Sequence, residues 1–178
     1  ISLNIQEGKI TSFIGPNGAG KSTLLSIMSR LLKRDSGEVL IDGKDILKWD
    51  NKELAKKIAI LRQSNNINIR LTIKELVSFG RFPHSQGNLK DEDYKYIEEA
   101  INYMQLKEFE DRYLDELSGG QRQRAYIAMV IAQNSDYIFL DEPLNNLDMK
   151  HSVEIMKTLR KLCDELNKTV VIVIHDIN

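Results

Sequence analysis

Cysteine is nearly absent from this sequence: Cys163 stands alone among 178 residues. No disulfide can close within the chain and no cysteine-based zinc site can be assembled. Such usage suits a reducing, cytosolic setting. Long apolar runs are missing as well. The longest, Ala125 to Ala132, has eight residues, against the roughly 20 that a membrane-spanning helix requires. Nor does one sign of charge dominate, since 25 Lys and Arg face 26 Asp and Glu. Without a strong positive field, a nucleic-acid partner is not expected. The chain starts at Ile1, and no basic-then-apolar leader follows. It therefore reads as part of a longer protein, truncated at both termini. What remains is ordinary for one globular domain: 42% hydrophobic residues suffice for a core and 29% charged residues for a wetted surface.

Lys9 to Ile14 reads as a short buried strand, and three glycines and a proline between Gly15 and Lys21 interrupt it. Leu24, Leu25, Ile27, Met28, Leu31 and Leu32 then recur at helical spacing, which predicts a helix to about Leu32. Glu38 to Ile41 alternates and ends at Asp42-Gly43, an edge strand closing in a tight turn. Ile58 to Leu61 predicts another strand. From Gln63 the chain becomes polar, with helical spacing at Leu71, Ile73, Leu76 and Val77 and again at Tyr94, Ile97, Ile101 and Met104. Residues 63–116 are read as an inserted helical lobe, with Gly80 to Leu89 as its internal loop. A helix containing Ala125, Ala128, Met129 and Ala132 follows Gly119-Gly120. Tyr137 to Leu140 and Val170 to Ile174 are continuous apolar runs, typical of strands buried on both faces. Between them Val153, Met156, Leu159, Leu162, Cys163 and Leu166 line one helix face. Strands alternating with helices predict a parallel sheet.

Gly15-Pro16-Asn17-Gly18-Ala19-Gly20-Lys21-Ser22 fits the phosphate-loop pattern G-x-x-x-x-G-K-S/T at every fixed position. Consecutive backbone N–H groups can encircle a polyphosphate only where side chains do not intervene. The helix beginning near Lys21 adds the positive end of its dipole. Lys21 would reach the β- and γ-phosphates, and the Ser22 hydroxyl would ligate Mg2+. At average residue usage a chance match in a chain of this length has odds of roughly one in two hundred.

Tyr137-Ile138-Phe139-Leu140-Asp141-Glu142 is an apolar strand ending in two acids. By itself such an end is more readily a solvated acidic turn. Beside a phosphate loop, Asp141 suits Mg2+ and Glu142 suits polarisation of the water that attacks a γ-phosphate. Leu117-Ser118-Gly119-Gly120-Gln121 is a second helix start able to meet an anion, with Ser118 as its cap; a capped helix without a ligand is the plainer alternative. A guanine-reading Asn-Lys-x-Asp is missing. Glu53-Leu54 follows Asn51-Lys52, and Thr169-Val170 follows Asn167-Lys168.

Gly15 to Thr23, Leu117 to Arg124, Ile138 to Pro143 and His175 after a buried strand together resemble the ATPase subunits of ABC (ATP-binding cassette) transporters, in order and across essentially the whole chain. The resemblance implies a P-loop NTPase fold: a RecA-like parallel-sheet α/β core with an antiparallel β-subdomain (1–62 and 117–178) and the helical subdomain (63–116). It implies ATP and Mg2+ as ligands. Gly15, Asn17, Gly18, Gly20, Lys21, Ser22 and Thr23 would hold the nucleotide from one subunit. Ser118, Gly119 and Gly120 would meet it from a second subunit, Gln121 would also bind nucleotide, and Asp148, also nucleotide-binding, matches the family's D-loop. Ser22, Gln63 and Asp141 would serve the metal, and Glu142 and His175 catalysis. Implied partners are the second ATPase, a homodimer being expected, a transmembrane permease and an extracytoplasmic substrate-binding protein. That places the chain peripherally on the cytoplasmic face of the membrane.

A finer likeness runs through Thr72 to Val77, Gly80 to His84, Arg122 to Met129 and Leu144 to Asp148. These stretches look most like ATPases of iron-siderophore importers, of catecholate and petrobactin type, and of cobalamin importers. A soluble ABC-type ATPase acting on DNA or ribosomes is the alternative. However, only residues 22–117 separate Lys21 from Ser118, too few for a long coiled-coil insert. The chain departs from the family at Leu144, where Thr is frequent, and Ile1 to Gly8 holds no aromatic residue to stack on adenine. Elsewhere bland roles are expected: His84 solvated, His151 no metal ligand, Trp49 packed, Cys163 an inert core thiol, and Arg122, Arg124 and Lys107 a solvated basic face.

Overall fold

The computed structural model of the protein describes residues 1–63, 69–145 and 147–175, the side chain of His175 excepted. Four strands, β1 (Ile10–Gly15), β4 (Ile58–Leu61), β5 (Tyr137–Asp141) and β6 (Thr169–His175), form one sheet in the order β1-β6-β5-β4. Every pairing in it is parallel, as the apolar runs predict. β2 (Leu40–Ile41) and β3 (Lys44–Asp45) make a separate antiparallel hairpin. Its two-residue turn is Asp42-Gly43, at φ +51° and +73°, the geometry whose twist suits a tight hairpin.

Side-chain alternation along the strands divides the core into two layers. Ile138, Leu140, Val170 and Ile172 face one side, where they meet α3 (Ile73–Phe79), α5 (Asp91–Tyr103), α6 (Gly119–Ala132) and α7 (Met149–Leu166). Phe139, Val171 and Val173 face the other, with α1 (Lys21–Met28), α2 (Asn51–Lys57) and the hairpin residue Ile41. Burying each such aliphatic side chain contributes about 1.5–3 kcal/mol. β5 and β6, buried on both faces, therefore anchor the molecule, and the phosphate loop hangs from their neighbour β1, an edge strand that is only partly buried and exposes Ile14, not the buried strand expected there.

Several local expectations need correction. α1 stops at Met28 rather than Leu32. The Ser29 hydroxyl donates to the Leu25 carbonyl, Arg30 turns to φ +60°, and its guanidinium donates to the Ile46 and Trp49 carbonyls. Leu31 and Leu32 are consequently exposed rather than on the buried stripe. The segment between Gly80 and Leu89 is not wholly loop, because α4 (Phe82–Ser85) forms one turn with Pro83 in its first positions. Next to it, buried Arg81 pairs with Asp93 at 2.8 Å and donates to the Ala132 carbonyl at the end of α6. The buried stripe of α7 is Ile155, Leu159, Leu162 and Cys163, while Val153 and Leu166 lie exposed at its edges. The basic cluster is not merely solvated: Arg122 donates to the Leu114 carbonyl and Arg124 to that of Met104, tying α6 to the segments before it. Trp49 is half-buried against the second layer, as expected.

Candidate nucleotide site

Gly15 is the last residue of β1 and pairs in register with His175, the last of β6, while Asp141 at the end of β5 pairs with Val173. The parallel register thus brings three sequence-distant motifs to one sheet edge. Ligands of open α/β sheets bind outside such carboxyl ends. From there the chain loops through exposed Asn17 and Gly18 into α1. Gly18 and Gly20 stand at φ +80° and +85°, and a Cβ on either would meet nothing within 4 Å. Backbone conformation rather than space therefore demands glycine there. α1 begins without a side-chain cap, so its first-turn N–H groups meet no capping oxygen. Thr23 follows on the exposed side of that turn.

Two cationic and metal-type contacts define the loop's mouth. The Lys21 ammonium donates to the carbonyls of Gly15 and Pro16 at 2.6 and 3.0 Å, which curls the side chain over the loop. The Ser22 hydroxyl donates to Asp141 Oδ1 at 2.8 Å. Hydroxyl and carboxylate are hard oxygen donors. Their separation is close to the roughly 3 Å between neighbouring ligands of an octahedral ion with bonds of about 2.1 Å. No cluster of three or more His, Cys, Asp or Glu exists among the described residues. The two oxygens of Ser22 and Asp141 fit Mg2+ completed by phosphate oxygens and water.

Glu142 leaves β5 at φ +53°, its backbone N–H donating to the Val173 carbonyl at 3.1 Å. A non-glycine residue in this region is strained, and such strain gathers at functional sites. Its carboxylate accepts from the Gln63 amide at 2.5 Å and the Asn145 amide at 3.4 Å. Gln63 therefore reaches the second acid of the pair. The His175 backbone lies beside Gly15; its side chain, like Asn146 of the Leu144–Asp148 stretch, is outside the described residues.

A second constellation surrounds the starts of α6 and α7. Ser118 caps α6 by accepting from the Gln121 N–H at 3.2 Å, and the Gln121 side chain accepts from the Ser118 N–H at 3.0 Å. This reciprocal box fixes the turn and leaves Gly119 and Gly120 as bare backbone. Asp148 caps α7, accepting from the His151 N–H at 2.9 Å and from its ring Nδ1 at 2.8 Å. The backbone N–H and then the ring hold the Asp148 carboxyl below the usual carboxylate range. Among the described residues no hydrogen bond joins Ser118–Gln121 or Asp148 to the phosphate loop. One chain brings together the loop, both acids and Gln63, and keeps the signature turn and Asp148 as a separate unit. Sequence inspection missed Asn145, which steadies Glu142, and Gln123, whose amide donates to the Pro143 carbonyl at 2.9 Å and ties α6 to the acidic turn. It also missed the part His151 plays. Position within the motifs was the available signal for the first two.

The ABC transporter family model matches residues 1–145. The chain is 73% identical over 177 residues to the petrobactin import ATP-binding protein YclP of Bacillus subtilis (strain 168), covering 99% of this chain and 70% of that protein. It is 46% identical to the iron(3+)-hydroxamate import ATP-binding protein FhuC of the same organism, covering 100% of this chain and 67% of the relative. Among solved structures, a dimeric bacterial ABC transporter cassette superposes with a TM-score of 0.84 at 40% identity, over 99% of this chain and 78% of that one. The same cassette bound to ADP and Pi, a post-hydrolysis state, gives 0.83. The chain thus shares its fold with these cassettes and belongs to the ABC transporter family as one of its ATPase cassettes.

Proposed function

We propose that this chain is the ATP-binding and ATP-hydrolysing part of an importer that takes up iron-siderophores, acting as a pair of subunits beneath a membrane permease. The observation that carries it is the meeting of Ser22 with Asp141, 119 positions apart, at a strand edge that also holds Glu142. Lys21, the loop N–H groups and Ser22 bind and orient the triphosphate. Ser22 and Asp141, with Gln63, would hold Mg2+, which when bound would neutralise phosphate charge. Glu142 accepts a proton from the attacking water, its carboxylate steered by the Gln63 and Asn145 amides, and His175, by likeness to the family, would contact the γ-phosphate. Ser118, Gly119, Gly120, Gln121 and Asp148 serve the nucleotide held by the partner, which explains why they form a unit apart. ATP bridges the halves, and loss of its γ-phosphate releases them, a cycle able to drive the permease.

Among the described residues no helix is long and apolar enough to cross a membrane. A permease and an extracytoplasmic binding protein would carry the cargo, as the importer relatives suggest. The siderophore reading rests on relatives named for petrobactin and hydroxamate import. Glu142→Gln in the complete protein is expected to lower turnover about 10²–10⁴-fold with ATP affinity retained, and to stop uptake of the ferric siderophore in the reconstituted transporter. Wild-type turnover in that variant would overturn the assignment.

A further inference from the structure

His151 lies on the first turn of α7, outside every motif that marks the site, yet it touches two of them. Its ring Nδ1 is 2.8 Å from Asp148 Oδ1, and the same oxygen accepts its backbone N–H at 2.9 Å. The other contact is with Gly120. A Cβ built on that glycine would stand 3.3 Å from Cγ, 3.4 Å from Cδ2 and 3.6 Å from Nδ1 of the His151 ring. The ring therefore rests against the bare backbone of the signature turn, and any larger residue at 120 would press on it. An ionised carboxylate only accepts hydrogen bonds, so Nδ1 carries the proton and donates. Asp148 itself is 64% exposed while the His151 side chain is 32% exposed, and neighbouring Met149 is 75% exposed. A carboxylate this open to solvent would ordinarily sample several rotamers. Here one imidazole, backed by Gly120, pins it.

We propose that His151 is a positioning residue that locks Asp148 to the signature turn, so that both reach the partner's nucleotide as one preset surface. The inference rests on the composite-site reading above and adds the residue that assembles the donated half. A preset half loses less conformational freedom when the dimer closes. The lock therefore acts on ATP-driven closure and leaves the binding of ATP to the chain's own loop unaffected.

The test uses the complete protein in a Glu142→Gln background, with the ATP concentration for half-maximal dimerisation read by sedimentation. His151→Ala is expected to raise that concentration about tenfold, the scale of one charge-assisted hydrogen bond, with no change in binding of a fluorescent ATP analogue to the monomer. His151→Asn, whose amide nitrogen can stand where Nδ1 stands, is expected to restore it to within about twofold of the background. Dimerisation of His151→Ala at the background's ATP concentration would overturn the inference, as would a His151→Asn variant impaired as badly as His151→Ala. Should the background itself, with His151 intact, stay monomeric at saturating ATP, the composite-site reading falls first and the inference with it.

Discussion

Glu142 shows function and stability pulling apart within one residue. Its left-handed backbone costs on the order of 1 kcal/mol for a side chain of its type, and the turn after β5 imposes it by docking the Glu142 N–H on Val173. Asparagine tolerates this conformation better than glutamate does. Glu142→Asn is therefore expected to lose turnover yet keep, or raise, its midpoint in chemical denaturation. A fall equivalent to more than about 1 kcal/mol would show that the carboxylate stabilises the fold instead. That an acid stands here is legible in the sequence, because an apolar strand ends in Asp141-Glu142 downstream of a phosphate loop. Its backbone strain is not legible, since a contact with β6 decides it. The His151 ring against Gly120 was hidden for the same reason: only the packing of α6 beside α7 makes the two neighbours.

At the scale of elements, the hairpin is fastened to the sheet by one polar knot. Tyr137 on β5 donates to Asp42 in the hairpin turn at 2.6 Å, and Lys57, just before β4, contacts Asp42 at 2.9 Å and Asp136 at 2.7 Å. The Tyr137 hydroxyl, then Lys57, hold the Asp42 carboxyl below its ordinary 3.8. Asp136, then Asp42, raise the Lys57 ammonium above 10.5. Burial, then Asp42, raises the Tyr137 phenol above 10.0. A depressed carboxyl stabilises the fold above its unfolded value and ceases to do so as pH falls through the folded one. The raised lysine and phenol contribute fully below their unfolded values and lose that contribution as pH rises. Unfolding free energy should thus be level between about pH 4 and pH 10 from this knot and decline on both sides. Lys57→Met is expected to shallow both slopes, by no more than about 1 kcal/mol in a pair this exposed; unchanged slopes would contradict the assignment. The turn that sets this knot could be read from Asp42-Gly43 at the end of the Glu38–Ile41 alternation. The early end of α1 could not, because its leucines keep helical spacing after Ser29 and Arg30 have turned the chain.

Across the whole molecule, the parallel register gathers the phosphate loop, Asp141 and Glu142 at one edge, while the starts of α6 and α7 present a second, separate unit. Motif order made the edge foreseeable. The separation was foreseeable only through likeness to the family, because no local pattern tells which ligand a capped helix meets. If each nucleotide lies between the loop of one subunit and the signature of the other, two differently broken chains should repair each other. Lys21→Ala breaks the loop. Gly119→Asp breaks the signature without disturbing the fold, since a Cβ at Gly119 meets nothing within 4 Å and an acid suits a helix N-terminus. The decisive measurement is ATP turnover of the complete protein carrying each change alone and of the two mixed in equal amounts. Each alone should be inactive. Half of random pairs are mixed and hold one intact site of two, so the mixture should recover roughly a quarter of wild-type turnover. A mixture as inactive as its components would contradict a site shared between subunits.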